Sequence, residues 1–104
     1  MTLLNKDERE ALNHFAITDG LSAQIRALRA SRCWTQREMG SACGVNQSTV
    51  SAWERGHPPV RIETLLRIAA VFDVGIEIRF VAWSKFLFTP QGFFIVPWEH
   101  DEAI

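Results

Sequence analysis

The stretch TQREMGSACGVNQSTVSAWERG, residues 35–56, decides the fold. Thr35 and Glu38 stand at the S/T-x-x-E spacing of a capping box, and Trp34 and Met39 occupy the two positions of a hydrophobic staple. A helix therefore begins at Thr35. It ends at Gly44, because glycine tolerates the left-handed conformation that terminates helices, and it spans only about two turns. Asn46 is a good N-cap for the next helix, with Val45 and Val50 as a second staple pair. That helix stops at Gly56, and His57-Pro58-Pro59 forbids its continuation.

Two short helices joined by a tight, glycine-containing turn make a helix-turn-helix, a motif whose second helix lies in the DNA major groove with its N-terminal residues against base edges. The side chains fit that geometry. Val45, Val50 and Trp53 face inward, while Gln47, Ser51 and Arg55, with Ser48 and Ala52, project the other way at helical spacing. Gly40 and Ala42 are small enough to let the two helices cross closely. On composition alone Gln47, Ser48 and Ser51 read as an ordinary solvated face; the doubled cap-and-staple arrangement and the local charge favour the nucleic-acid reading. Trp34 and Trp53 occupy staple or inward positions, so both read as core rather than as platforms for stacked bases.

Working outward, residues 1–17 are polar with a short apolar pattern (Leu12, Phe15, Ala16), an arm or an accessory helix over about 7–16. Leu21, Ile25 and Leu28 form the stripe of an amphipathic helix starting at Asp19 as N-cap. Downstream, Ile62, Leu65, Leu66, Ala69 and Phe72 mark a packing helix from Pro59 or Val60 to Phe72. After Asp73 the period changes to two: Ile76, Ile78 and Phe80 alternate with Glu77, Arg79 and Val81, and a second apolar run, Phe93 to Val96, follows the turn-like Thr89-Pro90-Gln91-Gly92. Seven of the eleven aromatic residues lie between positions 80 and 98, a density that implies burial. A lone hairpin is marginal in water, so these strands are expected to pack on the helices, on a second subunit, or on both. The expected architecture is mainly α, a four- to five-helix bundle with a C-terminal β-strand or β-hairpin. It divides into an arm at 1–18, the helix-turn-helix domain at 19–74 and a β extension at 75–104 that serves dimerisation.

The bulk composition bounds the function. With 104 residues, 47% hydrophobic and 22% charged, the chain builds one modest core. The net charge of -1 is unevenly spread: residues 20–61 hold six arginines against two acids, +4, while the flanks carry the remaining -5. The basic charge thus shares its window with the helix-turn-helix. Lys6, Asp7, Glu8, Arg9 and Glu10 stand where a secretory segment would be apolar, so a cytoplasmic protein is expected. Cys33 and Cys43 fit neither a redox pair nor a zinc pair, and His14, His57 and His100 are scattered, so neither a metal nor a cofactor is expected. Glu99, Asp101 and Glu102 cluster at a chain end where no catalytic geometry could be held, and an enzyme is the least favoured class.

The longer stretch IRALRASRCWTQREMGSACGVNQSTVSAWERG resembles the helix-turn-helix domain of the XRE family, the superfamily of the Cro and lambda-type repressors. The likeness rests on the IRxLR start, the Thr-Gln-x-Glu cap, the small residue at Gly40, the Gly44-Val45 turn and the closing Glu54-Arg55-Gly56, and it covers about residues 21–74. Met39 and Gly40 depart from the usual leucine and alanine. The resemblance implies a lambda-repressor-like bundle in which Gln47, Ser48 and Ala52 meet base edges with Thr49 and Ser51 nearby. It implies phosphate contacts for Gln36 and Arg55, with Arg37, Asn46 and Arg61 as secondary candidates, and a structural ion pair between Arg29 and Glu54.

The expected function is a sequence-specific double-stranded DNA-binding regulator, a repressor acting as a homodimer on an inverted repeat. Ile76, Ile78, Phe80, Trp83, Phe93 and Phe94 are the candidate dimer contact. The alternative is a protein-binding module such as an antitoxin, whose aromatic C-terminal segment grips a toxin or another partner protein.

Overall fold

The protein is described from a computed structural model, over residues 4–83. Helix α1 runs Lys6–Ser31, α2 Gln36–Cys43, α3 Gln47–Arg55 and α4 Ile62–Phe72. Masses of side chains from α1, α2, α3 and α4 converge on one core: Ile25, Met39, Cys43, Val50, Trp53, Ile68 and Phe72 are buried together. Met39 and Val50 are wholly inaccessible, and each contributes roughly 1.5 to 3 kcal/mol of burial free energy. Their staple partners Trp34 and Val45 pack against the same core from its edge.

The caps follow the sequence closely around the motif. The Thr35 hydroxyl accepts from the Glu38 N–H at 3.0 Å, and the Glu38 carboxylate accepts from the Thr35 N–H at 2.7 Å, closing the box. Asn46 caps α3, its side-chain oxygen accepting from the Thr49 N–H at 2.9 Å. Gly44 and Gly56 end α2 and α3 with φ of 76° and 73°, the left-handed backbone that a side chain would strain. Gly40 is required for a different reason. A Cβ there would lie 2.6 Å from the Val45 carbonyl oxygen, so α2 can fold against the start of the turn only with hydrogen at this position.

Three expectations are corrected. The arm and the helix expected from Asp19 are one continuous 26-residue helix, capped by Asn5 through a capping box with Glu8. Asp19 is exposed on its surface and Gly20 is buried within it; one interior glycine costs about 1 kcal/mol, too little to break a helix that also packs on α3. Helix α4 starts at Ile62 rather than at Pro59 or Val60, and it buries Ile68 with Ala69 and Phe72, leaving Ile62 and Leu66 exposed. The apolar stripe is therefore Leu65, Ile68, Ala69 and Phe72, rotated from the face expected.

The third correction concerns the β extension. Residues 76–82 form no strand among the described residues, and Trp83 stands in helical backbone. A strand exists only through a partner's hydrogen bonds, and none of the described residues offers one. The expected partner run at Phe93 to Val96 lies outside the described residues, as do Phe93 and Phe94 as dimer candidates. Ile76, Ile78 and Phe80 are exposed, and Trp83 is half-buried.

The end of α1 is tied to the end of α4. The Arg32 guanidinium lies 5.2 Å from the Trp34 ring centroid and 4.8 Å from that of Phe72, and it donates to the Val71 carbonyl at 3.1 Å. Trp34 and Phe72 themselves meet at 5.3 Å between centroids. Cys33 is exposed in the connecting turn; Cys43 is buried, and burial pushes its thiol pKa up, against the smaller opposing charge of Arg67.

Candidate nucleic-acid interface

Helix α3 divides lengthwise. Val50, Trp53 and Glu54 are buried, while Gln47, Ser48 and Arg55 are exposed and Thr49, Ser51 and Ala52 half-buried. Because α3 is anchored by Val50 and Trp53 in the core, its polar ridge stands on a rigid base. Beside it opens a cleft of about 320 Å³ between Ser48, Thr49 and Ala52 on one wall and Pro58, Pro59 and Arg61 on the other. The ridge is thus open to solvent along its N-terminal half.

Behind the ridge sits Glu54, only 5% exposed. Arg29 Nε donates to one of its oxygens at 2.6 Å and Arg29 Nη2 to the other at 3.0 Å, a bidentate pair that ties α1 to α3. Arg29 also donates to the Trp34 carbonyl at 2.9 Å, and Arg26 donates to the Glu54 carbonyl at 2.9 Å. Burial alone would raise the Glu54 pKa. The Arg29 hydrogen bonds, the Gln36 amide and the charges of Arg29 and Arg26 together outweigh it, so the carboxyl is held below its ordinary value. The same hydrogen bonding raises the Arg29 pKa, against desolvation.

An ionised carboxylate can only accept, and this polarity propagates to the surface. Gln36 Nε2 donates to Glu54 at 3.1 Å, so Gln36 Oε1 is the end turned outward; it accepts from Gln47 Nε2 at 2.6 Å. Gln47 is thereby held with its Oε1 and its second amide hydrogen uncommitted by this chain of bonds. Gln36 therefore lies half-buried between the ion pair and the ridge, a bridging position where the resemblance implies only a phosphate contact. Its placement had one sequence signal: the first turn of α2 faces the start of α3 in any tight two-helix turn.

The hydroxyls on the ridge differ in polarity. Ser48 Oγ and Thr49 Oγ1 each donate to Asn46 Oδ1 at 2.8 Å, whereas Ser51 Oγ accepts from Arg55 Nη1 at 2.7 Å. Asn46 is thus committed through its oxygen to capping. Arg55 lies back along α3, Arg37 is exposed at the start of α2, and exposed Arg61 sits 3.8 Å from the Glu63 carboxylate. Gln36 and Gln47 meet where α2 and α3 join, Asn46 and Ser48 are bonded at the start of α3, and Ser48 and Arg61 line the cleft, whereas Arg55 stands at the far end of α3 on Ser51 and Arg37 is exposed on α2.

None of the described helices is long and apolar enough to cross a membrane. Comparison with known proteins bears on the same residues. Among solved structures, the chain is similar to a hypothetical transcription factor, NHTF, from Neisseria, with 20% sequence identity, 85% of each chain covered and a TM-score of 0.56, a likeness of fold. No curated protein matches the chain. A helix-turn-helix family model matches residues 25–78, from the buried Ile25 of α1 through the capped pair α2 and α3 to Ile78. By that match over half of its length, and by the two capped helices crossing at Gly40, the chain belongs to the helix-turn-helix family.

Proposed function

We propose that the protein is a sequence-specific double-stranded DNA-binding transcriptional regulator, a repressor that acts as a homodimer on an inverted-repeat operator. The observation that carries this reading is the polar ridge of α3, exposed in front and held from behind by Val50, Trp53 and the Glu54–Gln36–Gln47 chain of hydrogen bonds. The hypothetical transcription factor from Neisseria, similar in fold, is consistent with it.

In this reading α3 enters the major groove. Gln47 offers an acceptor and a donor side by side, the pair that matches N6 and N7 of adenine. Ser48 spends its proton on Asn46 and presents lone pairs, which suit the amino groups of adenine or cytosine; Ser51 accepts from Arg55 and turns its proton outward, toward guanine or thymine acceptors. The Ala52 methyl meets a thymine methyl. Arg37, Arg55 and Arg61 contact phosphates, with the Asn46 side-chain amide and the Gln36 backbone N–H at the helix starts, and these contacts set register without reading sequence. One ridge reads few bases, and two related by a two-fold axis about 34 Å apart supply useful specificity.

Selection of bound sequences from random duplexes tests this directly, with affinity measured against salt. An enriched inverted repeat is expected. Three arginines from each of two subunits neutralise about six phosphates, so log K should fall against log salt with a slope of about -5. Binding without enrichment of any sequence would overturn the reading.

A further inference from the structure

The segment Ile76-Glu77-Ile78-Arg79-Phe80 reads the same from either end in chemical type, except that its two charges are opposite in sign. Glu77 and Arg79 meet at 3.5 Å, which puts both on one side of the chain. Ile76, Ile78 and Phe80 are 43%, 72% and 104% exposed, and paired as a strand the segment would turn them to the other side by its two-residue alternation. Residues 76–81 belong to no helix and to no ladder. A stretch outside any ladder that carries exposed apolar side chains in alternation with charged ones is a template for another strand.

We infer that this segment pairs antiparallel with the same segment of a second copy, about a two-fold axis through Ile78. The inference rests on the homodimer of the proposed function and gives it a register. With the axis at Ile78, Glu77 faces Arg79 of the second copy and Arg79 faces its Glu77. Ile76 faces Phe80 in both directions, the β-branched and aromatic combination that cross-strand pairs favour. Moving the axis to Glu77 or to Arg79 puts like charges opposite one another. A slip of one residue sets charged side chains against apolar ones. The charge pattern therefore selects a second copy of this chain as occupant and one register for it. The exposed strand-forming stretch forms its ladder only in the dimer.

The test uses the full-length chain in sedimentation equilibrium, with E77R and R79E as the perturbations. Each variant places like charges opposite one another at both cross-strand pairs, and self-association should weaken by about 10- to 100-fold. An equimolar mixture of the two variants brings opposite charges back together and should form a 1:1 heterodimer of near wild-type strength. That recovery in trans cannot come from the contact between Glu77 and Arg79 within one chain. Both side chains are more than half exposed, so helical content by circular dichroism should be unchanged in each variant. Unimpaired dimerisation of E77R, or no recovery in the mixture, overturns the register. A wild-type chain that stays monomeric at about 100 μM overturns the choice of a second copy and assigns the surface to a different protein. The sequence selection above is scored separately: an enriched inverted repeat with an unimpaired E77R dimer leaves the regulator standing without this register. A charge-dependent dimer that enriches no sequence does the reverse.

Discussion

Replacing Glu54 by glutamine removes one charge from the pair that joins α1 to α3 while keeping the side chain's shape. Breaking a fully buried ion pair by removing one partner costs about 3 to 5 kcal/mol, because the remaining charge is left uncompensated. Glu54 is 5% exposed but the Arg29 side chain is 21% exposed, so water recovers part of the loss, and we expect about 2 to 3 kcal/mol at pH 7. That is a large share of the roughly 5 to 15 kcal/mol that stabilises a typical domain. Urea unfolding followed by circular dichroism should show the midpoint falling by about 1 to 2 M. The pH dependence carries the sharper information. The folded-state pKa of Glu54 lies below its unfolded value of about 4.3, so its stabilisation is fully present above that pH and is lost as pH falls through the folded pKa. The gap between wild type and E54Q should thus be constant from pH 7 to about 5 and close under more acid conditions. A variant within 0.5 kcal/mol of wild type at pH 7, taken as roughly the noise of the method, would refute the reasoning, and so would a gap that persists unchanged into acid.

Other outcomes follow from the ridge and the turn. Gln47→Ala should cost about 1 to 3 kcal/mol on the preferred operator and little on random duplexes; equal loss on both would remove Gln47 from base reading. Arg55→Ala should weaken binding to all sequences alike and make the salt slope of the dimer shallower by about 2, one phosphate for each subunit, as fluorescence anisotropy across a salt series would report. Gly40→Ala should destabilise the fold by about 1 to 3 kcal/mol in thermal or urea melts, because its methyl would meet the Val45 carbonyl oxygen; an unchanged melt would mean that α2 shifts without cost.

How much of the molecule was legible beforehand depended on whether its cause was local. The caps at Thr35 and Asn46 and the stops at Gly44 and Gly56 were readable because each is a bond or a dihedral settled within four residues. The break expected near Asp19 was misread for the complementary reason: Asp19 is a good cap in isolation, but nothing local terminates the helix that already passes through it. The α4 stripe was rotated because Ile62, Leu66 and Ile68 are equally apolar, and only the angle at which α4 meets Trp34 and the core selects among them. Within the candidate interface, the identity of the outward residues followed from helical spacing. The Gln36 bridge between α2 and α3 followed only in part: the tight turn brings the first turn of α2 to α3, but the bond to Glu54 depends on how the two helices pack.

Sequence by itself determined that two short helices meet at a glycine and that Gln47, Ser48 and Ser51 share a face, since capping and 3.6-residue periodicity act over a few residues and need no neighbour. Tertiary structure decided which way the hydrogen bonds on that face point. The direction starts at Glu54, which stays ionised because α1 brings Arg29 against it, and it passes to Gln36 and Gln47 because a carboxylate can only accept.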